Sequence, residues 1–304
     1  MRQRVGQRMM RGVKLDVKQA CVRRGETRAD DNKDCATLPP VKRSKATTRR
    51  QGTPALAEAT LSEADGVRYL HLGTPWIQGA MRVRKPLKLE LDYIQRMMAW
   101  LLLRDPATLG ETRTLQLGLG AAAITKYCHN VLKLPTVAVE LNPQVIHICR
   151  QWFHLPDDDA RLQVVQGDAA AYVADDAHVG TADALCVDLY DHEAASPVLD
   201  DEAFYRACWR VLDDGGVMSV NLFGRDASFA RSAERIAAAF GEDHMARLKP
   251  TPEGNTVVLA WKGFALPDRD VLQQRAETLK ARFELPAPKW VKLLSAFRKP
   301  VAPT

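Results

Sequence analysis

No apolar run in the sequence comes near the roughly 18–20 residues needed to cross a bilayer. Runs such as Met97–Leu103 are far shorter, which excludes a membrane-spanning helix. No apolar stretch follows the basic N-terminal residues, so a secretory signal is not expected. The six cysteines (Cys21, Cys35, Cys128, Cys149, Cys186 and Cys208) form no Cys-x-x-Cys pair and no Cys/His zinc spacing, and the histidines form no His-Glu-x-x-His. No metal is therefore expected, and the cysteines read as reduced thiols of a cytoplasmic protein. There is no Gly-x-x-x-x-Gly-Lys-Ser/Thr, which excludes a Walker-type phosphate cradle. Residues 1–60 contain no Phe, Trp or Tyr; the first aromatic residue is Tyr69.

That first segment holds 15 Lys/Arg against 6 Asp/Glu, whereas the remainder holds 28 against 31. The net charge of +6 is thus a property of the tail, and the body is mildly acidic. A body of that sign does not suit nucleic-acid phosphates, so no nucleic-acid partner is expected. Without aromatics or an apolar period, residues 1–60 cannot offset their ordering entropy and read as a disordered basic tail. A misplaced start, an arm for anionic partners and a transit peptide all stay open for it, although Asp30, Asp31 and Asp34 weigh against the last.

Beyond the tail, residues 61–104 read as a small substrate-side unit: two short strands around Gly73-Thr74-Pro75, then a helix at 91–103. Residues 105–264 alternate strands and helices. Seven strands are expected, at 114–117, 136–139, 162–166, 184–187, 217–222, 245–248 and 256–261. The last two flank the turn Thr251-Pro252-Glu253-Gly254. The fold class is α/β: a Rossmann-like, doubly wound, mostly parallel seven-stranded sheet with an antiparallel last strand, preceded by a small N-terminal β domain. Residues 265–304 add a helix and a basic end. Trp152 and Phe153 read as core residues.

The densest chemistry lies at the strand ends. Leu117-Gly118-Leu119-Gly120-Ala121 joins a strand to a helix, where glycines let the backbone turn tightly and approach a ligand. Glu140 ends the next strand, 20 residues after Gly120 and placed to accept both hydroxyls of a ribose. Asp168 and Asp188 end the third and fourth strands. Open α/β sheets bind ligands outside these ends, so one crevice collects all four features. Three acids, with no Lys or Arg in the turn, suit a nucleoside that carries positive charge, such as an S-adenosyl sulfonium compound.

With these residues in place, the stretch from about 67 to 263 resembles the polyamine aminopropyltransferase (spermidine synthase-like) family, on the class I S-adenosylmethionine methyltransferase fold. The matching features, in order, are Gly73–Gln78, the helix bearing Tyr93, Gly118–Gly120, Glu140, Gly167-Asp168 and Asp188-Leu189-Tyr190-Asp191. The resemblance implies an enzyme that moves an aminopropyl group from decarboxylated S-adenosylmethionine to an amine and releases methylthioadenosine. It implies Asp188 and Asp191 as catalytic residues. Gln78, Gly118, Gly120, Glu140 and Asp168 would hold the donor; Tyr93 and Tyr190 would hold the amine. A homodimer is also implied. Three departures stand out: Ala121 replaces the Asp expected to bind the donor's ammonium, Ile94-Gln95 replaces a His-Glu, and Pro250–Gly254 lacks a Tyr. They put the donor, intact or decarboxylated, in question, and an acid restored at 121 is expected to favour the decarboxylated donor about tenfold. The alternatives are an S-adenosylmethionine-dependent methyltransferase acting on a small amine and a nucleoside-binding paralogue without turnover.

Overall fold

The structure, a computed structural model, describes residues 56–190, 197–223 and 227–297. Three short strands come first: β1 (Ala59–Ala64), β2 (Val67–Leu72) and β3 (Gly79–Arg82), an antiparallel sheet in the order β1-β2-β3. β2 and β3 are the two strands expected around the Gly/Pro turn. β1 was not expected, and it opens at Ala59, inside the segment read as tail. Its register with β2 runs from Ala59↔Leu72 to Ala64↔Val67. The chain then enters helix α1 (Asp92–Met97), which tightens into 3-10 turns over Met98–Leu103, so the helix expected at 91–103 changes pitch midway.

The large sheet follows: β4 (Thr114–Leu117), α2 (Ala123–Lys126), β5 (Thr136–Glu140), α3 (Pro143–Trp152), β6 (Leu162–Gln166), α4 (Ala169–Ala174), β7 (Ala182–Val187), α5 (Glu202–Val211), β8 (Leu212–Phe223), α6 (Ala227–Phe240), β9 (Met245–Leu248) and β10 (Asn255–Trp261). Helices α7 (Arg269–Phe283) and α8 (Ala287–Leu293) lead to a last strand, β11 (Leu294–Ala296). The order is β11-β9-β10-β8-β7-β4-β5-β6. The five strands from β8 to β6 are parallel, and β10 runs antiparallel to β8, as expected. The expected seven strands are all present. The eighth, β11, adds an antiparallel edge beside β9, in a stretch whose basic residues had suggested no element.

Alternation along the strands sorts the core onto two faces. Ala184, Cys186 and Val217 face a cluster with Trp100, Leu102, Leu272 and Trp290. Leu185, Val187, Met218 and Val220 face the other side, with Phe204, Tyr205, Val211 and Ile236. A third cluster joins the small sheet to the large one through Leu70, Met81, Leu119, Ala121, Val145 and Phe153. Phe153 is buried as expected, but Trp152 is 47% exposed, with the Arg68 guanidinium 5.4 Å above its ring. It sits on the outward side of α3, so its core assignment is corrected. Lys126 is buried in the same region. Its ammonium donates to the carbonyls of Pro86 (3.1 Å) and Phe153 (2.6 Å), stitching three stretches of chain together. Cys128, Cys149, Cys186 and Cys208 are buried and free, as expected. Among the described residues, no helix is long and apolar enough to cross a membrane.

Candidate active site

The sheet reverses its order at β4, which pairs with β5 on one edge and β7 on the other. Main-chain groups splay apart beyond such a point and leave a crevice at the carboxyl ends. The glycine turn and Asp188 meet there. The Gly118 N–H donates to the Val139 carbonyl and the Asp188 N–H to the Leu117 carbonyl, each at 2.9 Å. Gly118 has φ +83°, and a Cβ on it would lie 2.1 Å from the Asp188 carbonyl oxygen. No other residue fits. Gln116, buried beneath the turn, donates to the Gly118 carbonyl at 2.7 Å and accepts from the Thr125 hydroxyl at 2.5 Å.

Glu140 clasps the turn from the neighbouring strand end. Its Oε2 accepts from the Leu119 N–H at 2.9 Å and its Oε1 from the Asn142 N–H at 2.8 Å. Burial raises its pKa, while the N–H groups of Asn142, Leu119 and Leu141 pull it back down. With three of the roughly four acceptor positions of the carboxylate taken, one stays open for a ribose hydroxyl. The loop before β3 closes on the same turn. The Gln78 carbonyl oxygen lies 3.1 Å from where a Cβ on Gly120 would sit. A Cβ on Gly79 would come within 2.5 Å of the Ala121 nitrogen and 2.6 Å of its Cβ, so Gly79 is a spacer that lets the two backbones touch. Ala121 is accordingly only 3% exposed. Asp168 is exposed and caps α4, its Oδ1 accepting from the Ala171 N–H at 2.8 Å.

Asp188 is partly buried between α1 and β8. Its carboxylate accepts hydrogen bonds from the Tyr93 hydroxyl and from Asn221 Nδ2, the latter at 2.9 Å. Desolvation raises its pKa above the usual carboxylate range, against those two donors. The Tyr93 hydroxyl is pushed well above its ordinary value by burial first and by the Asp188 charge next, so it stays protonated and donates. The Tyr190 hydroxyl donates to the Asn221 carbonyl at 2.8 Å and accepts from the Phe223 N–H at 2.5 Å. Both bonds commit it to the end of β8, which leaves its ring, not its hydroxyl, for a ligand. Asp92, one position before Tyr93, is ion-paired to Arg96 at 2.6 Å. The structure thus brings together Gln78, Tyr93, Gly118, Gly120, Glu140, Asp188 and Tyr190. Asp168 stands at the third strand end as a helix cap. Asp191 lies outside the described residues.

Sequence reasoning missed Gln116, Gly79, Asn221 and Asn255. Asn221 was visible as a lone amide in the apolar run Val217–Phe223, which is a signal in its own right, since a buried polar group needs partners. Among the described residues, no group of three His, Cys, Asp or Glu side chains is placed to hold a metal ion.

A glycine turn at a sheet's switch point, with a clasping acid beside it and a desolvated acid across from it, defines a nucleoside-dependent group-transfer enzyme. Comparisons with known proteins narrow the class. The spermine/spermidine synthase domain family matches residues 123–224. A polyamine aminopropyltransferase of Chromobacterium violaceum is 33% identical over 238 residues, covering 78% of this chain and 88% of that protein. One from Neisseria meningitidis serogroup B is 31% identical over the same shares. Among solved structures, a probable spermidine synthase from Corynebacterium glutamicum has a TM-score of 0.61 at 17% identity, covering 82% of this chain and 97% of that one. Human methyltransferase-like protein 13, solved with SAH, has 0.57 at 22% identity, covering 65% and 94%. The structural likenesses show the fold. The chain belongs to the polyamine aminopropyltransferase (spermine/spermidine synthase) family.

Proposed function

We propose that this enzyme moves an aminopropyl-type group from an S-adenosyl sulfonium donor to a small amine or polyamine and releases methylthioadenosine. The observation that carries the reading is Asp188: a desolvated carboxylate, held by Tyr93 and Asn221, with its main chain locked against the glycine turn. An alkylamine with a pKa of about 10 reaches the site protonated and is not a nucleophile until it loses that proton. Asp188 attracts the ammonium and accepts its proton, and its raised pKa makes it a better base. The amine nitrogen bonds to the methylene beside sulfur, the carbon–sulfur bond breaks, and its electron pair stays on sulfur. Holding both reactants at one strand end supplies much of the rate.

The residues present suit a cationic nucleoside. Glu140 receives the ribose, Gly118 and Gly120 let it approach, and Gln78 and Asp168 border it. Tyr93 and the Tyr190 ring line the amine side, and Asp191 anchors the far ammonium. The same reading takes residues 61–104 as the substrate-side unit and 105–264 as the nucleoside-binding unit, in a cytoplasmic homodimer without metal. The relatives' names support the reaction class.

The test supplies both donors with a panel of diamines and polyamines and identifies the nucleoside product. Methylthioadenosine is expected. S-adenosylhomocysteine would assign methyl transfer instead, and nucleoside binding without either product would leave a binding protein. Asp188→Asn is expected to lower kcat at least a hundredfold while donor affinity stays within about threefold.

A further inference from the structure

Among the described residues, the acid proposed to accept the proton has no charged partner. Three elements and one loop face Asp188. Tyr93 faces it from α1, Cys186 from β7, Tyr190 from the loop after β7, and Asn221 from β8. Burial raises the Tyr93, Tyr190 and Cys186 groups, so all three are neutral at ordinary pH. The glycine turn presents only main chain. Among the described residues, every group that shifts Asp188 is therefore uncharged, and the Asn221 and Tyr93 donors are what favour its charged form against burial.

One of those donors is itself held. Asn221 is buried, and an amide has two faces: its NH2 donates and its oxygen accepts. Here the oxygen accepts from Asn255 Nδ2 at 3.2 Å, which turns the NH2 towards Asp188. Val257, not Asn255, is the register partner of Asn221, so the two amides meet diagonally across β8 and β10. Asn255 is fixed in turn by the hairpin. Its N–H donates to the Thr251 hydroxyl at 3.2 Å, and its carbonyl accepts from the Thr251 N–H at 2.8 Å. From Asn255 to the carboxylate donation runs in one direction, Asn255 Nδ2 to Asn221 Oδ1 and Asn221 Nδ2 to Asp188 Oδ1.

We infer that Asn221 and Asn255 form a positioning relay that sets the ionisation of Asp188, with Asn255 acting only through the orientation of Asn221. The relay deepens the proposed function, since it rests on Asp188 as the proton acceptor. A carboxylate that loses a donor is protonated more readily. Asn221→Ala should therefore move the acidic limb of the kcat profile to higher pH by about one unit, the range of one hydrogen bond to a charged group. Asn255→Ala frees the Asn221 amide to turn its oxygen towards Asp188 part of the time. It should shift the limb the same way by less, although it does not touch Asp188.

The experiment measures kcat for methylthioadenosine release against pH in the full chain, for wild type, both single variants and the double variant. In parallel, the carboxyl carbon resonance of Asp188 is titrated, assigned by its loss in Asp188→Asn. The relay predicts a shift in both singles and a double variant no further shifted than Asn221→Ala, because residues in series do not add. Loss of kcat by a constant factor at every pH, an unmoved limb in Asn255→Ala, or additive shifts would overturn it. If Asn221→Ala does not fold, Asn255→Ala and its resonance still decide. A wild type that releases no methylthioadenosine overturns the proposed function. The resonance titration then still reads whether the amides set the ionisation of Asp188.

Discussion

Ala121 shows how much a single position depends on its neighbour. The resemblance placed it where an acid would hold the donor's ammonium, and an acid restored there was expected to change donor preference. The structure corrects this: Ala121 is buried against Gly79, among Leu70, Met81 and Leu119. A carboxylate there would lose its water and find no cation. Ala121→Asp should therefore destabilise the fold by about 2–3 kcal/mol, read as a lower denaturation midpoint, with donor preference unchanged. A tenfold swing towards the decarboxylated donor in a protein of wild-type stability would refute this. Lys126 is the converse case, a charge buried without a carboxylate. Desolvation lowers its pKa to about 8 from 10.5. The folded state thus releases the proton before the unfolded one. The penalty of burying the charge is fully present below about pH 8 and is relieved as pH rises towards 10.5. Wild type should therefore gain about 2 kcal/mol on Lys126→Met between pH 7 and 9.5. Parallel stability curves for the two proteins would rule this out.

At the scale of elements, β1 marks where composition stops being informative. Ala59–Ala64 carries few large apolar residues, so neither period nor propensity announces a strand. Its partners make it one. It pairs with β2, its Ala59 N–H donates to Gln144 Oε1 at 3.1 Å, and the Ala57 carbonyl accepts from Asn142 Nδ2 at 2.8 Å. A cut at the expected tail boundary would remove these anchors. Deleting residues 1–60 should lower Tm by several degrees, whereas deleting residues 1–55, which lack any aromatic residue, should leave it within about one degree. Equal melting temperatures for the two truncations would contradict the role given to β1. The edge strand β11 escaped notice for a related reason: three residues, Leu294–Ala296, are a strand only because β9 offers an open edge.

Across the whole molecule, what could be read in advance was what depends on periodicity and on chain order. The parallel strands of the large sheet are apolar runs bounded by turn residues, and the glycine turn and the acids Glu140, Asp168 and Asp188 sit at their ends by the topology alone. What could not be read was which polar groups each acid would meet. That depends on residues far apart in the chain: Asn221 is 33 positions from Asp188, and Asn255 a further 34 from Asn221. The partners of the Tyr190 hydroxyl were hidden for the same reason, because they lie on β8. Charge told the sign of the body but not the pairing of Asp92 with Arg96.

The interlock of Gly118 with the Asp188 carbonyl divides the molecule into a part that can drift and a part that cannot. Because Asp188 hangs from main chain wedged against the glycine turn, the separation of its carboxylate from that turn is a gauge cut in backbone. Exposed side chains around the rim can be exchanged without resetting that gauge. Directed evolution towards new amines should therefore find its tolerated changes on the rim and almost none at 118.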